Sequence, residues 1–224
     1  GNVPFKTTCP AAYPLPYTED FESSATGSLP DCWEAFGRYS NSFGVNTSAK
    51  KDGSNGLRMD RSYSNYSYAV LPKMDGYVGD LMLSFDYKKG ERNYAGYLVV
   101  GIATDITSEE SIASTLKVID SLSIAKTQRS WYSYLRTFST YAGEDGYIVL
   151  WAPKADKSAN RSYIYVDNIR VEKAPTCLTP KSLTFKTATT TSITLTWTPN
   201  GKETAWDIAY VAKGGDIAEA KTVT

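Results

Sequence analysis

The stretch TEDFE at residues 18–22 holds three carboxylates within four positions, Glu19, Asp20 and Glu22. Carboxylates serve as general acids and bases and as ligands of hard cations such as calcium. A catalytic pair in a glycosidase would need a second carboxylate about 5 Å or about 6.5–9.5 Å away, and an apolar pocket that raises one pKa. Nothing in the sequence indicates such a pocket, which leaves a metal site and a solvated strand end as the two interpretations.

The strand that carries these acids would also orient them. Alternation along an extended strand places Asp20 and Glu22 on one face and Glu19 and Phe21 on the other. Because Phe21 requires an apolar surface, we expect Asp20 and Glu22 on an outer rim. Glu19 would then lie on the face that is less useful for binding a cation.

The composition argues against catalysis. The 224 residues include no histidine, so the chain lacks the commonest general base and a common zinc ligand. No nucleophile-elbow motif is present either. We therefore predict no enzymatic activity.

The charge balance and the hydropathy exclude further classes of partner. Lysine and arginine number 24, as do aspartate and glutamate, so the formal net charge is zero and no nucleic-acid partner is expected. No run approaches the roughly 20 apolar residues that cross a bilayer. We expect a monomer without membrane insertion, either cytosolic or exported after removal of a signal peptide.

Four tyrosines are candidates for contact with a ligand, Tyr63, Tyr66, Tyr68 and Tyr94. A tyrosine ring has an apolar face and a polar hydroxyl, so it can stack on a sugar and hydrogen-bond to it. The alternative is that these rings fill half-buried strand positions, as in many β-sandwiches. Four tryptophans stand among apolar neighbours and are expected in cores: Trp33, Trp131, Trp151 and Trp197.

The three cysteines, Cys9, Cys32 and Cys177, match no close-spaced zinc or redox motif. Cys9 and Cys32 flank the first predicted strand and could form a disulfide in an oxidising compartment, which would leave Cys177 unpaired. The alternative is three buried thiols.

Short strand-like segments recur between residues 17 and 172, separated by turn signals such as DG and NG. About ten strands of this kind predict a β-sandwich. The one helical candidate, TSEESIAST at residues 107–115 with Thr107 as cap, is expected to form a turn or a single helical turn. After Val171 a proline-containing linker leads to SITLTWTP and WDIAYV, which predict strands of a second β domain.

Five motifs in a fixed order carry a resemblance to a known family: PYTEDFES, SLPDCW, DGSNGLRM, YLVVGIATD and YIYVDNIRVE. Together they resemble the cleaved-adhesin or choice-of-anchor-J domain, a MAM-like β-jelly-roll of Bacteroidetes surface and secreted proteins. The resemblance implies an all-β chain with a jelly-roll domain at residues 14–174. Residues 1–13 are an extension, in which VPFKTTC is similar to the last strand of a preceding domain. Residues 175–224 are similar to the N-terminal part of a fibronectin type III domain, an immunoglobulin-like sandwich that we expect to be incomplete.

The resemblance also implies that the first and last strands of the jelly roll lie side by side, with a structural calcium at their rim. The matching positions are Glu22 and Asp167, with Asp20 and the loop around Asp52 as further contributors. Calcium needs only oxygen ligands, which suits a chain without histidine.

The function that the resemblance implies is a non-catalytic adhesin-like module, secreted or associated with the outer membrane at the cell surface. It would bind an extracellular protein or glycan. The alternatives are a carbohydrate-binding module appended to a larger extracellular hydrolase and a structural spacer.

Overall fold

The computed structural model describes residues 8–38, 43–91, 94–155, 161–175, 180–199 and 204–223. The chain divides into two compact units, residues 1–174 and 175–224. No described helix is long and apolar enough to cross a membrane. The elements of the first unit are, in chain order, β1 (Tyr17–Glu19), β2 (Glu34–Phe36), β3 (Gly44–Asn46), β4 (Gly56–Arg61), β5 (Ser67–Val70), β6 (Leu81–Lys89), β7 (Gly96–Ala103), α1 (Glu109–Thr115), β8 (Lys117–Ile124), β9 (Tyr132–Thr137), β10 (Tyr147–Ala152) and β11 (Ser162–Lys173).

The strands of the first unit form two antiparallel sheets. The six-stranded sheet has the order β3-β4-β11-β6-β9, and β1 pairs with the second half of β11. The five-stranded sheet has the order β2-β5-β10-β7-β8. The predicted all-β class and β-sandwich architecture are confirmed.

One hydrophobic core lies between the two sheets. Alternate residues of β6, such as Leu83 and Phe85, and of β7, such as Leu98 and Val100, are buried in the same cluster. Burial of each side chain of this kind stabilises the fold by about 1.5–3 kcal/mol. The core therefore fixes the two sheets against each other and supports the sites described below.

A gap in the six-stranded sheet is the feature that positions the acids. Strand β11 pairs with β4 through residues 162–166 and with β1 through residues 169–171. Asp167 and Asn168 lie between these two pairings, at a bulge where the register with β6 shifts. Asn168 has a left-handed backbone with φ of 53°, which asparagine tolerates better than most residues. The first and last strands are thus neighbours, as the resemblance implies.

The helical candidate is a real element, so the expectation of a turn was wrong. Helix α1 has seven residues, and its cap is Ser108, whose Oγ accepts a 3.1 Å hydrogen bond from the Ser111 N–H. The Thr107 hydroxyl instead donates to Asp105. Ile112 is fully buried against the outer face of the five-stranded sheet. This packing stabilises a helix that would be too short to persist alone.

The described residues of the second unit, 175, 180–199 and 204–223, form two antiparallel strand pairs. Strand β12 (Lys181–Ala188) pairs with β13 (Ile193–Thr198), and β14 (Ile208–Tyr210) pairs with β15 (Lys221–Val223). The rings of Trp197 and Trp206 meet edge to face with their centroids 5.5 Å apart. The strands that the sequence predicts around SITLTWTP and WDIAYV are therefore present.

Candidate functional site

The segment Lys51–Asn55, which we call the acid-anchored loop, precedes β4 and is held by carboxylates from distant parts of the chain. Asp167 is the central one, and 1% of its surface is exposed. Its Oδ2 accepts hydrogen bonds from the N–H groups of Lys51 at 2.6 Å and Asp52 at 3.3 Å. Its Oδ1 accepts from the Asn168 N–H at 2.8 Å. Burial raises the pKa of Asp167, and these backbone hydrogen bonds only partly offset it.

Asp86 lies directly opposite Asp167 in the β6–β11 register. It accepts hydrogen bonds from Lys51 Nζ at 2.8 Å, Ser133 Oγ at 2.6 Å and Asn168 Nδ2 at 3.2 Å. Burial alone would raise the pKa of Asp86, but these three donors outweigh it, and the pKa lies below its usual value. The hydrogen bond between Lys51 and Asp86 also raises the pKa of Lys51. The sequence offered no signal for Asp86, because one aspartate in the apolar strand LMLSFDYKK indicates nothing about what lies opposite.

Glu22 and Asp52 complete the network. Glu22 Oε1 accepts from the N–H groups of Ser54 and Asn55, both at 2.8 Å. Asp52 Oδ2 accepts from Asn168 Nδ2 at 2.9 Å. Of the four predicted metal ligands, Asp52 therefore lies in the acid-anchored loop, and Glu22 and Asp167 accept hydrogen bonds from its backbone.

The fourth predicted ligand, Asp20, has a different role. Its Oδ1 accepts a 3.1 Å hydrogen bond from the Glu22 N–H, which closes a local turn. The expected strand alternation fails here, because β1 ends at Glu19 and Phe21 has φ of 63°. The turn buries Phe21 completely, with its ring 6.0 Å from that of Trp33. Phe21 thus reaches the core by a turn and not by alternation.

The distances between these carboxylates, and the donors that already engage them, bear on whether they could hold a cation. In the part of the chain that the structure describes, no three acidic, histidine or cysteine side chains are close enough together to hold a metal ion. Backbone N–H groups, Lys51 and Asn168 already engage the carboxylates. The all-oxygen set has the chemistry that calcium prefers, and calcium bound by Asp20, Glu22, Asp52 and Asp167 stays a prediction.

A second candidate site lies on the outer face of the five-stranded sheet. Phe36, Tyr68 and Trp151 stand in one cross-strand row on β2, β5 and β10, and Tyr66 precedes β5. We call these four residues the aromatic patch. The rings of Tyr68 and Trp151 stack with centroids 5.3 Å apart and planes 7° apart, and the Tyr66 ring meets Tyr68 edge to face.

Charged groups border the aromatic patch. The Tyr66 hydroxyl donates to Glu109 of α1, and Lys154 Nζ lies 4.6 Å from the centroid of the Tyr66 ring. The hydrogen bond to Glu109 raises the pKa of Tyr66. The patch thus presents aromatic surface together with one acid and one base.

The four predicted ligand-binding tyrosines have unequal positions. Tyr66 is half-buried, whereas Tyr68 is only 4% exposed and stacks against the Trp151 ring from the neighbouring strand. Burial raises the pKa of Tyr68 to about 12. Tyr63 and Tyr94 lie on loops and are 59% and 40% exposed. No ring contact between either of them and the patch occurs within the described residues.

Two members of the patch, Phe36 and Trp151, were not among the residues predicted to bind a ligand. The expectation of a core position holds for Trp33, which is 6% exposed, but Trp151 is half-buried on the outer face. The Trp151 indole nitrogen is buried and has no hydrogen-bond partner. A buried unpaired donor is rare and destabilising, so this ring is held by its stacking and not by its polar atom.

A disulfide joins Cys9 to Cys32, the predicted pair, with Cα atoms 5.6 Å apart. The N-terminal segment is also held by Tyr13, whose N–H donates to Lys73 and whose carbonyl accepts from Asp75. Cys177 and residues 1–7, with most of VPFKTTC, lie outside the described residues. Residues 8–13 are therefore tied to the first unit.

The comparisons with known proteins address the fold. No protein-family model matches the chain, and no curated protein matches it. The chain is similar to the K2 cleaved adhesin domain of Lys-gingipain, with a TM-score of 0.53 and 15% identity over 71% of this chain and 99% of that chain. It is also similar to the K1 cleaved adhesin domain of Lys-gingipain from Porphyromonas gingivalis W83, with a TM-score of 0.51 and 12% identity over 71% of this chain and 98% of that one. At these identities the likeness is one of fold, and it agrees with the predicted adhesin-like β-sandwich.

Proposed function

We propose that this chain is a non-catalytic, adhesin-like binding module that acts outside the cell, secreted or at the outer-membrane surface of a Bacteroidetes bacterium. The observation that supports this proposal is the aromatic patch. Tyr66 and Trp151 are half-exposed on the outer face of a sheet, where the sandwich core does not require large rings. The Tyr68 stack and the Glu109 hydrogen bond fix them in place, so a ligand would not have to order them.

The ligand we propose is an extracellular glycan or protein bound on this patch. Aromatic faces pack against the apolar face of a sugar ring or against apolar side chains. Glu109 and Lys154 at the margin provide an acceptor and a donor for polar groups of the ligand. Tyr63 and Tyr94 are exposed enough to act as peripheral contacts.

The experiment that tests this function measures binding to a glycan array and to immobilised extracellular matrix proteins. Tyr66→Ala and Trp151→Ala should each weaken binding about ten-fold or more, the effect of losing an anchor residue. Tyr132→Ala is the matched control, because Tyr132 is 46% exposed on β9, outside the patch. Equal binding by all three variants would remove the patch from the proposal.

The two alternatives give different results in the same experiment. A carbohydrate-binding module of a larger hydrolase would bind soluble polysaccharides and no matrix protein. A structural spacer would bind neither class of ligand. The adhesin-like function is favoured by binding to a host protein or to a surface glycan.

Two further parts of the proposal concern stability and organisation. We propose a structural calcium at the acid-anchored loop, with Asp20, Glu22, Asp52 and Asp167 as ligands. Because these carboxylates are not close enough together in the structure to hold a metal ion, calcium binding would have to draw them closer. The support is that three of these acids lie in or contact one loop.

We also propose that residues 175–224 are the N-terminal part of a fibronectin type III domain. Its support is the strand pairing of β12 with β13.

A further inference from the structure

A polar cleft of about 460 Å³ opens between β1 and the segment 23–31. Its lining includes Tyr13 and Tyr17, the carboxylates of Glu19 and Asp31, and the hydroxyls of Ser23 and Ser24. The volume exceeds that of a single water molecule, about 30 Å³, by more than ten-fold. The cleft therefore has room for a side chain or another small organic group.

The described lining of this cleft is acidic. Two of its lining residues are acidic and none is lysine or arginine. Within the described residues, no ion pair is formed by Glu19 or Asp31. The cleft thus carries two carboxylates that pair with no lysine or arginine in the part of the chain that the structure describes.

The geometry of Glu19 leaves one oxygen available. Its Oε1 accepts a 2.7 Å hydrogen bond from the Phe21 N–H, whereas its Oε2 has only a long contact of 3.5 Å with the Tyr17 hydroxyl. That hydroxyl accepts a 2.8 Å hydrogen bond from Trp33 Nε1, which fixes the Tyr17 ring. Burial raises the pKa of Glu19, and the charges of Asp20 and Asp31 add to the effect. Glu19 is therefore a half-buried carboxylate with an unfilled acceptor.

A ring contact and a disulfide lie at the cleft. The Tyr13 and Tyr17 rings meet edge to face with centroids 5.5 Å apart. The Cys9–Cys32 disulfide lies next to Asp31 in the chain. Aromatic faces beside carboxylates attract organic cations both by cation–π contact and by ion pairing.

We propose that this cleft is a second binding site, and that it takes the cationic side chain of a basic residue on a protein partner. Arginine suits it best, because a planar guanidinium offers five donors and the cleft offers acceptors in Glu19, Asp31, Ser23 and Ser24. The site is separate from the aromatic patch, so it does not depend on the function proposed for that patch. It would give a partner with an exposed arginine an electrostatic contact at β1.

The test is an NMR titration of the ¹⁵N-labelled chain with N-acetyl-arginine methylamide. Its neutral isostere, N-acetyl-citrulline methylamide, is titrated in parallel. The arginine compound should shift the amide signals of Ser23 and Ser24 and bind in the millimolar range, and the citrulline compound should bind about ten-fold more weakly or not at all. Equal binding of the two compounds would overturn the proposal.

Variants locate the site and separate binding from folding. Glu19→Gln and Asp31→Asn should each weaken arginine binding about ten-fold. Asp31 is exposed, and Asp31→Asn leaves the Glu19–Phe21 hydrogen bond in place, so this variant stays informative if Glu19→Gln folds poorly. Glu34→Gln, an exposed acid on β2 outside the cleft, should bind like the parent chain. Unchanged binding in Asp31→Asn and in a folded Glu19→Gln would contradict the site.

Discussion

The Lys51 N–H donates a 2.6 Å hydrogen bond to Asp167 Oδ2, although the two residues are 116 positions apart. The contact joins the loop before β4 to the bulge of β11. Lys51 also reaches Asp86 with its ammonium group, so one residue links three segments. The acid-anchored loop is thus a structural element that ties the segment before β4 to β6 and β11.

Replacement of Asp167 by asparagine should destabilise the fold. An asparagine side chain keeps one acceptor but turns an NH₂ group toward the N–H donors of the loop, and an unsatisfied buried group costs about 1–3 kcal/mol. Urea denaturation at pH 7 measures the loss. Asp20→Asn is the control, because Asp20 is exposed and closes only a local turn. Equal effects of the two variants would mean that the loop contributes no more than a surface turn.

The pH dependence of stability should identify Asp86. An acid with a lowered folded pKa stabilises the fold above its unfolded pKa, about 3.9 for aspartate, and this contribution is lost as pH falls through the folded pKa. The stability difference between the parent chain and Asp86→Asn should therefore be largest at neutral pH and shrink below about pH 4. Urea denaturation from pH 7 to about pH 2.5 checks this.

Asp167 provides the contrast in sign. Its folded pKa is raised, so acidification through that pKa favours the folded state, and its contribution grows as pH falls toward the unfolded value. Opposite pH slopes for Asp86→Asn and Asp167→Asn are expected. Parallel slopes would contradict the assignment of the two carboxylates.

Calcium should raise the melting temperature of chelator-treated protein. A cation that binds only the folded state stabilises it in proportion to the logarithm of its concentration above Kd. Glu22→Gln and Asp52→Asn should reduce the shift, whereas Glu172→Gln, whose acid pairs with Arg170, should retain it. No shift at millimolar calcium would leave hydrogen bonds as the means by which the loop is held.

The disulfide should be a major source of stability. Cys9 and Cys32 enclose a loop with a sequence separation of 23, and a cross-link over a loop of this length stabilises by roughly 3 kcal/mol. The double variant Cys9→Ser with Cys32→Ser should lose about that much in urea denaturation. Reduced parent protein is the control and should match the variant. Full stability in the double variant would show that Tyr13 alone secures the segment.

The resemblance to the cleaved-adhesin family, which implies neighbouring first and last strands, predicted that Glu22, Asp52 and Asp167 would lie at one rim. The turn at Phe21 could not be predicted, since a phenylalanine with φ of 63° is disfavoured locally and is stabilised by burial in the core. Glu19, which we expected on the face less useful for binding a cation, lines the cleft beside β1.

The position of Trp151 on the outer face of the sheet could not be predicted for a different reason. Strand β10 reads YIVLWA, and both of its faces are apolar, with Ile148 and Leu150 in the core and Val149 under α1. A continuous apolar strand does not reveal which residues face the core. The helix that covers part of the outer face was expected to be only a turn, so nothing in the sequence indicated a second apolar surface.

Gly53 should prove to be a steric requirement of the Glu22 contact. Its φ is 58°, and a Cβ there would lie 2.5 Å from Glu22 Oε1. Gly53→Ala therefore combines backbone strain of about 1–2 kcal/mol with displacement of a carboxylate that two N–H groups hold. Gly76 is a matched control, since its φ is 93° and nothing lies within 4 Å of its added Cβ.

A double-mutant cycle separates the two effects. Gly53→Ala should cost more than Gly76→Ala, and the excess should disappear when Glu22→Ala is added, because the carboxylate that clashes is then absent. Gly76→Ala combined with Glu22→Ala should be additive, since the two sites share no contact. Urea denaturation of the six proteins gives both coupling energies. If the coupling at Gly53 is zero, the Glu22 carboxylate moves aside without loss, and its hydrogen bonds to Ser54 and Asn55 contribute little to the stability of the loop.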